Sequence, residues 1–149
     1  MQSRRPYSLD EAGRIGAAIG VALAPGDVVL LSGDLGAGKT TLARAMLKAR
    51  GLAGEAPSPT FAIVQPYAPP EVDLAIAHVD LYRIERADEL IELGLDDYLY
   101  DGVLLIEWPE RLGAQGWPGA LMLAISGSGD VRVLTAEVPA AWEARWPLR

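Results

Sequence analysis

The chain has 149 residues, of which 50% are hydrophobic and 22% charged, and this balance predicts one globular domain over residues 1–149 rather than a disordered chain. It contains no cysteine and one histidine, which excludes disulfides, thiolate metal sites and histidine-cluster metal sites, whereas a cation held by oxygen ligands stays open. The net charge of −7 argues against binding nucleic acid through the overall field, although it leaves room for a local basic patch. Since no apolar run is long enough to span a bilayer and no secretory signal is recognisable, we expect a cytoplasmic protein without a membrane partner.

The first third of the chain has the signals of a helix, a buried strand and a second helix. Ser8, followed three residues later by Glu11, is typical of a capping box, and apolar residues then recur on one helical face. Residues 28–32, "VVLLS", form a short apolar run rich in β-branched residues, as a buried strand does. Helix-forming residues fill positions 39–50 and stop at Gly51, which predicts the second helix.

The rest of the chain alternates between strand-like and helix-like segments. Two strand-like runs at residues 60–67 and 74–83 flank "APPE", which predicts a hairpin or a wide turn. The remaining predicted elements are a helix at 87–99 that Gly94 could interrupt, a buried strand at 103–108, a hairpin of strands 120–126 and 131–138 around "GSGD", and a short helix at 139–146. This order of elements predicts an α/β fold with a mixed sheet.

The stretch between the first predicted strand and the second helix matches the pattern G-x-x-x-x-G-K-[ST] of a phosphate-binding P-loop, from Gly33 to Thr40. Glycines at 33, 36 and 38 let the loop turn so that successive backbone N–H groups point at a phosphate. Lys39 can reach the β- and γ-phosphate oxygens, and the Thr40 hydroxyl can bind Mg²⁺. The alternative, a chance match in a glycine-rich turn, is disfavoured because a buried strand precedes the loop and a helix follows it.

Two carboxylates are candidates for the metal side of such a site. Glu107 closes the apolar strand at 103–108, which favours a role in holding Mg²⁺ or its water over the alternative of a solvated strand end. Asp80 shares a strand face with His78 and Tyr82, so it is equally compatible with a metal role and with a structural hydrogen bond. We interpret His78 as a structural hydrogen-bonding residue rather than a general base.

The nucleotide is assigned by elimination. GTPases select guanine with an N-K-x-D motif, and this chain contains no asparagine at all, so ATP is favoured.

Four motifs in order, "GDLGAGKTT", "SPTF", "HVDLYR" and "IEWPER", give the chain a resemblance to the TsaE family, also called YjeE. This family consists of bacterial P-loop ATPases required for the threonylcarbamoyl modification of tRNA. The resemblance spans nearly the whole chain, from Ser8 to about Val138. One P-loop alone would be unspecific, whereas the set of four motifs at suitable spacing is specific. The family implies a P-loop NTPase-like, three-layer domain with a central mixed sheet and flanking helices.

The resemblance also implies roles for particular residues. The phosphates would be bound by the loop and the start of its helix: Gly33, Gly36, Ala37, Gly38, Lys39, Thr40 and Thr41. Thr40 and Glu107 would hold Mg²⁺, and Asp80 would assist hydrolysis by positioning water or the metal's surroundings. The "SPTF" motif, with Thr60, would be a switch-like segment at the nucleotide site, and Trp108 would lie beside that site. Further nucleotide contacts are implied for Ser8 in the N-terminal segment and Arg132 in the last hairpin. Ordinary alternatives are a helix cap for Ser8, an aromatic packing residue for Trp108 and an exposed strand residue for Arg132.

The implied partners are the related proteins TsaB and TsaD, whose complex transfers the threonylcarbamoyl group to the adenosine beside the anticodon. The ATP cycle would reset that complex, and tRNA would be reached indirectly, through the partners. Two other functions stay open: a small-molecule kinase of the P-loop class, and a non-catalytic ATP-dependent interaction module. The role of residues 139–149 is left open by the motifs.

Overall fold

The fold is given by a computed structural model that describes residues 1–59, 63–115 and 117–148. Its strands are β1 (Gln2–Ser8), β2 (Val28–Gly33), β3 (Val64–Tyr67), β4 (Ala75–Asp80), β5 (Gly102–Glu107), β6 (Leu121–Ser128) and β7 (Val131–Glu137). Its α-helices are α1 (Ala12–Ala22), α2 (Lys39–Ala49), α3 (Ala87–Glu92) and α4 (Ala140–Glu143). Short 3₁₀ helices cover Leu9–Glu11, Leu95–Leu99 and Pro109–Gln115.

Within these ranges, the strands form one seven-stranded sheet in the order β1-β7-β6-β2-β5-β4-β3. The central strands β6, β2, β5 and β4 run parallel, while β1–β7, β7–β6 and β3–β4 are antiparallel pairs. Strands β2 and β5, each with a run of four apolar residues, lie inside the sheet, as expected for strands covered on both faces. The predicted α/β fold with a mixed sheet is confirmed.

Each face of the sheet carries its own apolar core, and alternate residues of each central strand contribute to opposite cores. In β5, Val103 and Leu105 pack in the core beneath α1 and α2, while Leu104 and Ile106 pack in the core beside the 3₁₀ helices at Leu95–Leu99 and Pro109–Gln115. Helical segments therefore flank the sheet on both sides, which gives the three layers predicted from the family resemblance.

The parallel strands β2, β4 and β5 end at the same edge of the sheet. Glu107 is the register partner of both Leu31 in β2 and Asp80 in β4, and the P-loop leaves β2 at Gly33. In open α/β sheets, ligands bind at the carboxyl ends of parallel strands, so the fold brings the P-loop, Asp80 and Glu107 to one edge of the sheet.

Three differences from the predicted elements have simple reasons. The polar strand β1 was not predicted, because "QSRRPYS" lacks the apolar alternation by which a strand is recognised and contains a proline that only an edge strand tolerates. The predicted strand at 74–83 is shorter, Ala75–Asp80, and that at 60–67 is observed as Val64–Tyr67, with residues 60–62 outside the described parts. The helix predicted at 87–99 is indeed interrupted, since Gly94 is left-handed at φ 60°.

The C-terminal segment packs against the α1 and α2 side of the sheet. It contains the short helix α4 within the predicted 139–146, and Trp142 and Trp146 are buried in the core there. In the described residues, none of the helices combines the length and apolar character needed to cross a membrane.

Candidate functional site

The P-loop connects β2 to α2 through backbone conformations that favour glycine. Gly33 has φ 147°, and a Cβ atom there would lie 2.7 Å from the carbonyl oxygen of Ile125 in the neighbouring strand. Gly38 has φ 112° and immediately precedes the first residue of α2. The unpaired N–H groups at the start of α2 consequently face the space that the loop encloses, which is the arrangement required for binding an anion.

Lys39, the first residue of α2, turns back over the loop. Its Nζ donates to the carbonyl oxygens of Gly33 at 2.6 Å and Asp34 at 2.9 Å. Nζ also lies 4.1 Å from the centroid of the Trp108 ring, a cation–π contact. Burial lowers the pKa of Lys39 below its usual value, and neighbouring carboxylates, Glu107 foremost, oppose that shift. The ammonium group is thus held at the mouth of the loop with a reduced hydration shell.

Trp108 is held in an unusual conformation for a bulky residue, with φ 59°. Its ring packs against Tyr82 with 4.9 Å between centroids, and Arg111 lies 5.8 Å from the Tyr82 ring. Trp108 therefore packs against another aromatic ring, as its ordinary interpretation predicted, and also covers Lys39 at the predicted nucleotide site.

Glu107 links the P-loop helix to the centre of the sheet. The Thr40 hydroxyl lies 2.8 Å and 2.9 Å from the two carboxylate oxygens, to which it donates, and His78 Nε2 lies 2.6 Å from Glu107 Oε2. Glu107 is only 2% exposed, so it is not a solvated strand end. His78 is a hydrogen-bonding residue, as predicted, but its partner was not foreseen.

Asp80 lies beside Glu107 and is 4% exposed. Its Oδ1 accepts a hydrogen bond from the backbone N–H of Tyr82 at 2.9 Å. Asp80 thus makes the structural hydrogen bond that its pattern allowed and also faces the cavity enclosed by the P-loop. The structural hydrogen bond and the position at the cavity are therefore both present, and the metal role of Asp80 stays a prediction.

A cavity of about 220 Å³ unites most of the predicted site. Its lining residues are Leu35, Gly36, Ala37, Gly38, Lys39, Thr40, Thr41, Asp80, Glu107 and Trp108. This volume is below that of a pocket enclosing a drug-sized ligand, so it suits the phosphate end of a nucleotide rather than a whole one. A larger cavity of about 480 Å³ beside Trp117 has Asp96 and Asp97 but no cationic residue among the described residues of its lining, and those carboxylates would repel a phosphate.

The remaining predicted contacts have different outcomes. Arg132, at the start of β7, donates from Nη1 to the carbonyl oxygens of Ala37 at 2.8 Å and Gly36 at 3.3 Å, so it braces the P-loop from the neighbouring hairpin. Ser8 is not in the cavity lining, and its backbone N–H donates to the Glu11 side chain at 3.0 Å, as the N-cap residue of a capping box does. Thr60 lies outside the described residues.

The oxygen groups at this site fit a magnesium ion that is shared with a nucleotide. Thr40 and Glu107 supply a hydroxyl and a carboxylate, which are hard ligands of the kind that Mg²⁺ prefers. Among the described residues, no group of three or more His, Cys, Asp or Glu side chains could hold a metal ion on its own. Mg²⁺ characteristically takes one or two protein ligands and completes its sphere with phosphate oxygens and water, so the donor set suits that ion.

Comparisons with known proteins show the family of the chain. Residues 7–133 match the family profile described as threonylcarbamoyl adenosine biosynthesis protein TsaE. The chain belongs to the TsaE family. The match includes the P-loop, both carboxylates and Arg132.

Individual relatives carry the name tRNA threonylcarbamoyladenosine biosynthesis protein TsaE. The Bacillus subtilis protein is 41% identical over 107 residues, which are 71% of this chain and 65% of that protein. The Rickettsia prowazekii protein is 45% identical over 89 residues, 59% of this chain and 60% of its own. The Streptomyces coelicolor protein is 41% identical over 97 residues, 64% of this chain and 66% of its own. The matches therefore span slightly less than two-thirds of these relatives.

A solved structure shares the fold over a longer stretch. The crystal structure of YdiB from Bacillus subtilis superimposes with a TM-score of 0.79 and 30% sequence identity, covering 97% of this chain and 91% of that one.

Two contacts of the site were missed by sequence reasoning. His78 and Glu107 lie on the same face of adjacent parallel strands, which alternation could have indicated once the strands were known to be neighbours. The contact between Lys39 and Trp108 depends on the left-handed backbone at Trp108, for which the sequence carries no signal.

Proposed function

We propose that this TsaE family member is a Mg²⁺-dependent ATPase that serves the threonylcarbamoyl modification of tRNA. The observation that carries the proposal is the contact of Thr40 with Glu107 at the edge of the P-loop cavity. That contact joins the phosphate-binding helix to a buried acidic strand end, which is the combination that P-loop ATPases use. The family membership supports the role in tRNA modification.

The residues divide the work of binding and hydrolysis. Backbone N–H groups of the loop and the Lys39 ammonium bind the β- and γ-phosphates. Thr40 and Glu107 hold the metal ion, which when bound supplies positive charge to the phosphate oxygens. Asp80 orients the attacking water or the waters around the metal, and Trp108 covers the phosphate end of the site and limits its contact with solvent.

Hydrolysis by the isolated chain is slow under this proposal. The cavity lining described above contains no arginine, and the guanidinium group of Arg132 is engaged with P-loop carbonyl oxygens. A P-loop site without an arginine finger hydrolyses its nucleotide slowly until a partner supplies the missing charge. We assign that partner to a TsaB–TsaD complex, which the ATP cycle resets and through which tRNA is reached.

The test is ATP hydrolysis by the purified protein with Mg²⁺, measured as phosphate release alone and with TsaB and TsaD. The expected result is a low basal rate that rises when both partners and tRNA are present. Equal rates with and without partners would contradict the role in resetting the complex, and would leave the protein as an ATP-dependent interaction module. A panel of nucleosides and sugars serves as a further arm, in which ADP release that depends on an acceptor would identify a kinase instead.

A further inference from the structure

His78 occupies a place in the sheet that directs its side chain at Glu107. In the parallel pair of β4 and β5, Asp80 is the register partner of Glu107 and His78 is the register partner of Leu105. Because alternate residues share a face, His78 and Glu107 lie diagonally across from each other on the side that carries α2. The result is the 2.6 Å separation of His78 Nε2 from Glu107 Oε2.

An imidazole at the fully buried position 78 lowers the stability of the fold. Its Nδ1 is buried without a hydrogen-bond partner among the described residues, and an unsatisfied buried polar atom costs stability. A leucine or phenylalanine would fill the same core position without that cost. This loss of stability is explained if the hydrogen bond of Nε2 has a function, because an apolar side chain cannot make that bond.

Nε2 of His78 contacts one oxygen of the Glu107 carboxylate. The Thr40 hydroxyl contacts the same carboxylate. A carboxylate accepts hydrogen bonds, so the short contact requires a proton on Nε2. Thr40 contacts Glu107 from the side of α2, and His78 contacts it from β4, so the carboxylate is fixed between two elements. Without the imidazole, the Thr40 hydroxyl would be the remaining side-chain hydrogen-bond partner of this carboxylate among the described residues.

We propose that His78 is a positioning residue that orients the Glu107 carboxylate, together with the Thr40 hydroxyl, toward the Mg²⁺ of a bound nucleotide. The inference rests on the proposed binding of Mg²⁺ and ATP at this site. His78 itself touches neither the metal nor the nucleotide and acts through Glu107. Hydrogen-bonding partners of metal ligands contribute in this way because they fix the ligand's orientation before the ion arrives.

Mg²⁺-dependent nucleotide binding tests the inference without using turnover. Dissociation constants for ADP are measured by calorimetry with Mg²⁺ and with EDTA, for the wild type, His78→Leu and His78→Gln. We expect His78→Leu to weaken binding with Mg²⁺ by roughly 10-fold or more and to leave binding in EDTA unchanged. His78→Gln, whose amide can donate from a similar position, should recover most of the loss. An unchanged Mg²⁺ effect in His78→Leu would overturn the inference, and absence of Mg²⁺-dependent binding in the wild type would instead overturn the proposed function.

The single histidine allows a second measurement that does not depend on a folded His78→Leu variant. With ¹⁵N-labelled histidine, the wild-type chain gives one pair of imidazole nitrogen resonances, and we expect Nε2 to carry a proton. Glu107→Gln should shift the Nε2 resonance, because it changes the acceptor. A wild-type imidazole without a proton on Nε2, or an Nε2 resonance insensitive to Glu107→Gln, would contradict the inference independently of the nucleotide-binding measurements.

Discussion

Asp80 and Glu107 are register partners at the ends of β4 and β5, yet their side chains have different hydrogen-bond partners. Glu107 accepts from Thr40 in the P-loop helix, whereas Asp80 accepts from the backbone of Tyr82 in the segment after its own strand. The two carboxylates therefore line the same cavity but are held there by different parts of the chain. This separation predicts that they can be removed with different consequences.

Asp80→Asn should spare ATP binding and reduce hydrolysis. The amide keeps the size of the side chain and can still accept from the Tyr82 N–H, but it loses the charge that would position water or a metal-bound water. Phosphate release in single-turnover experiments should fall by roughly 100-fold, the lower range for a group of this kind. Calorimetry should give an ATP dissociation constant close to that of the wild type.

A matched control is Asp73→Asn, at an exposed carboxylate that precedes β4 and pairs with Arg50 away from the cavity. It should leave both binding and hydrolysis unchanged. If Asp80→Asn abolished ATP binding, Asp80 would belong to the binding residues and our assignment of its role would be wrong.

Lys39→Ala should weaken ATP binding by at least roughly 10-fold, because the charge beside the β- and γ-phosphates is lost. The control is Lys48→Ala, which removes the chain's other lysine from the exposed last turn of the same helix. Equilibrium dialysis with labelled ATP measures both variants. Similar losses in the two variants would point to a general charge effect and against a specific phosphate contact by Lys39.

Helix packing provides a stability prediction away from the site. In α1, a Cβ atom at Gly16 would lie 2.5 Å from Ala45 Cβ and 2.9 Å from the Leu42 carbonyl oxygen, whereas one at Gly13 would meet nothing within 4 Å. Gly16→Ala should therefore lower the free energy of unfolding by about 1–3 kcal/mol, the usual range for overpacking a close contact. Gly13→Ala should cause no loss, or a gain of up to about 1 kcal/mol from helix propensity.

Urea denaturation at constant m-value measures both glycine variants. If both raised the stability equally, then α1 and α2 would not approach as closely as the structure has them.

The parts of the molecule that were predictable are those with a local signature. The P-loop motif consists of contiguous residues from Gly33 to Thr40, and Glu107 follows an apolar run, so each could be recognised within its own segment. That the two meet at one edge of the sheet agrees with a general rule about parallel sheets, but the rule could be applied only once the strand order was known. The edge strand β1 could not be predicted, because it is held by pairing with β7 and has no apolar pattern of its own.

Contacts between residues that lie far apart in the sequence have no such local signature. His78 was recognised as a hydrogen-bonding residue, but the identity of its partner depended on β4 and β5 being neighbours, which periodicity within one strand does not reveal. The C-terminal tail was left without a role for the same reason. Its sequence shows aromatic and charged residues, while its partners lie more than 100 residues earlier in the chain.

The tail is attached through Arg145, which supplies the last prediction. Its guanidinium donates to both carboxylate oxygens of Asp27, at 2.6 Å and 2.7 Å, and to the Ala22 carbonyl oxygen at the end of α1. It also stacks 3.9 Å from the Trp142 ring. A planar fork that satisfies both oxygens of one carboxylate gives stronger and more directional hydrogen bonds than a single contact.

Arg145→Met keeps an apolar stem of similar length and removes the guanidinium group, so the free energy of unfolding should fall by about 1–2 kcal/mol. The expected loss is smaller than for a fully buried pair because the arginine is partly exposed. Arg5→Met is the control, since Arg5 lies 3.8 Å from Glu11 in an exposed pair and should contribute little. Adding Asp27→Asn to Arg145→Met completes a double-mutant cycle, in which the two changes should cost less together than the sum of the separate losses. Urea midpoints that matched between the Arg145 and Arg5 variants, or strictly additive losses in the cycle, would mean that the pairing of Arg145 with Asp27 does not hold the tail.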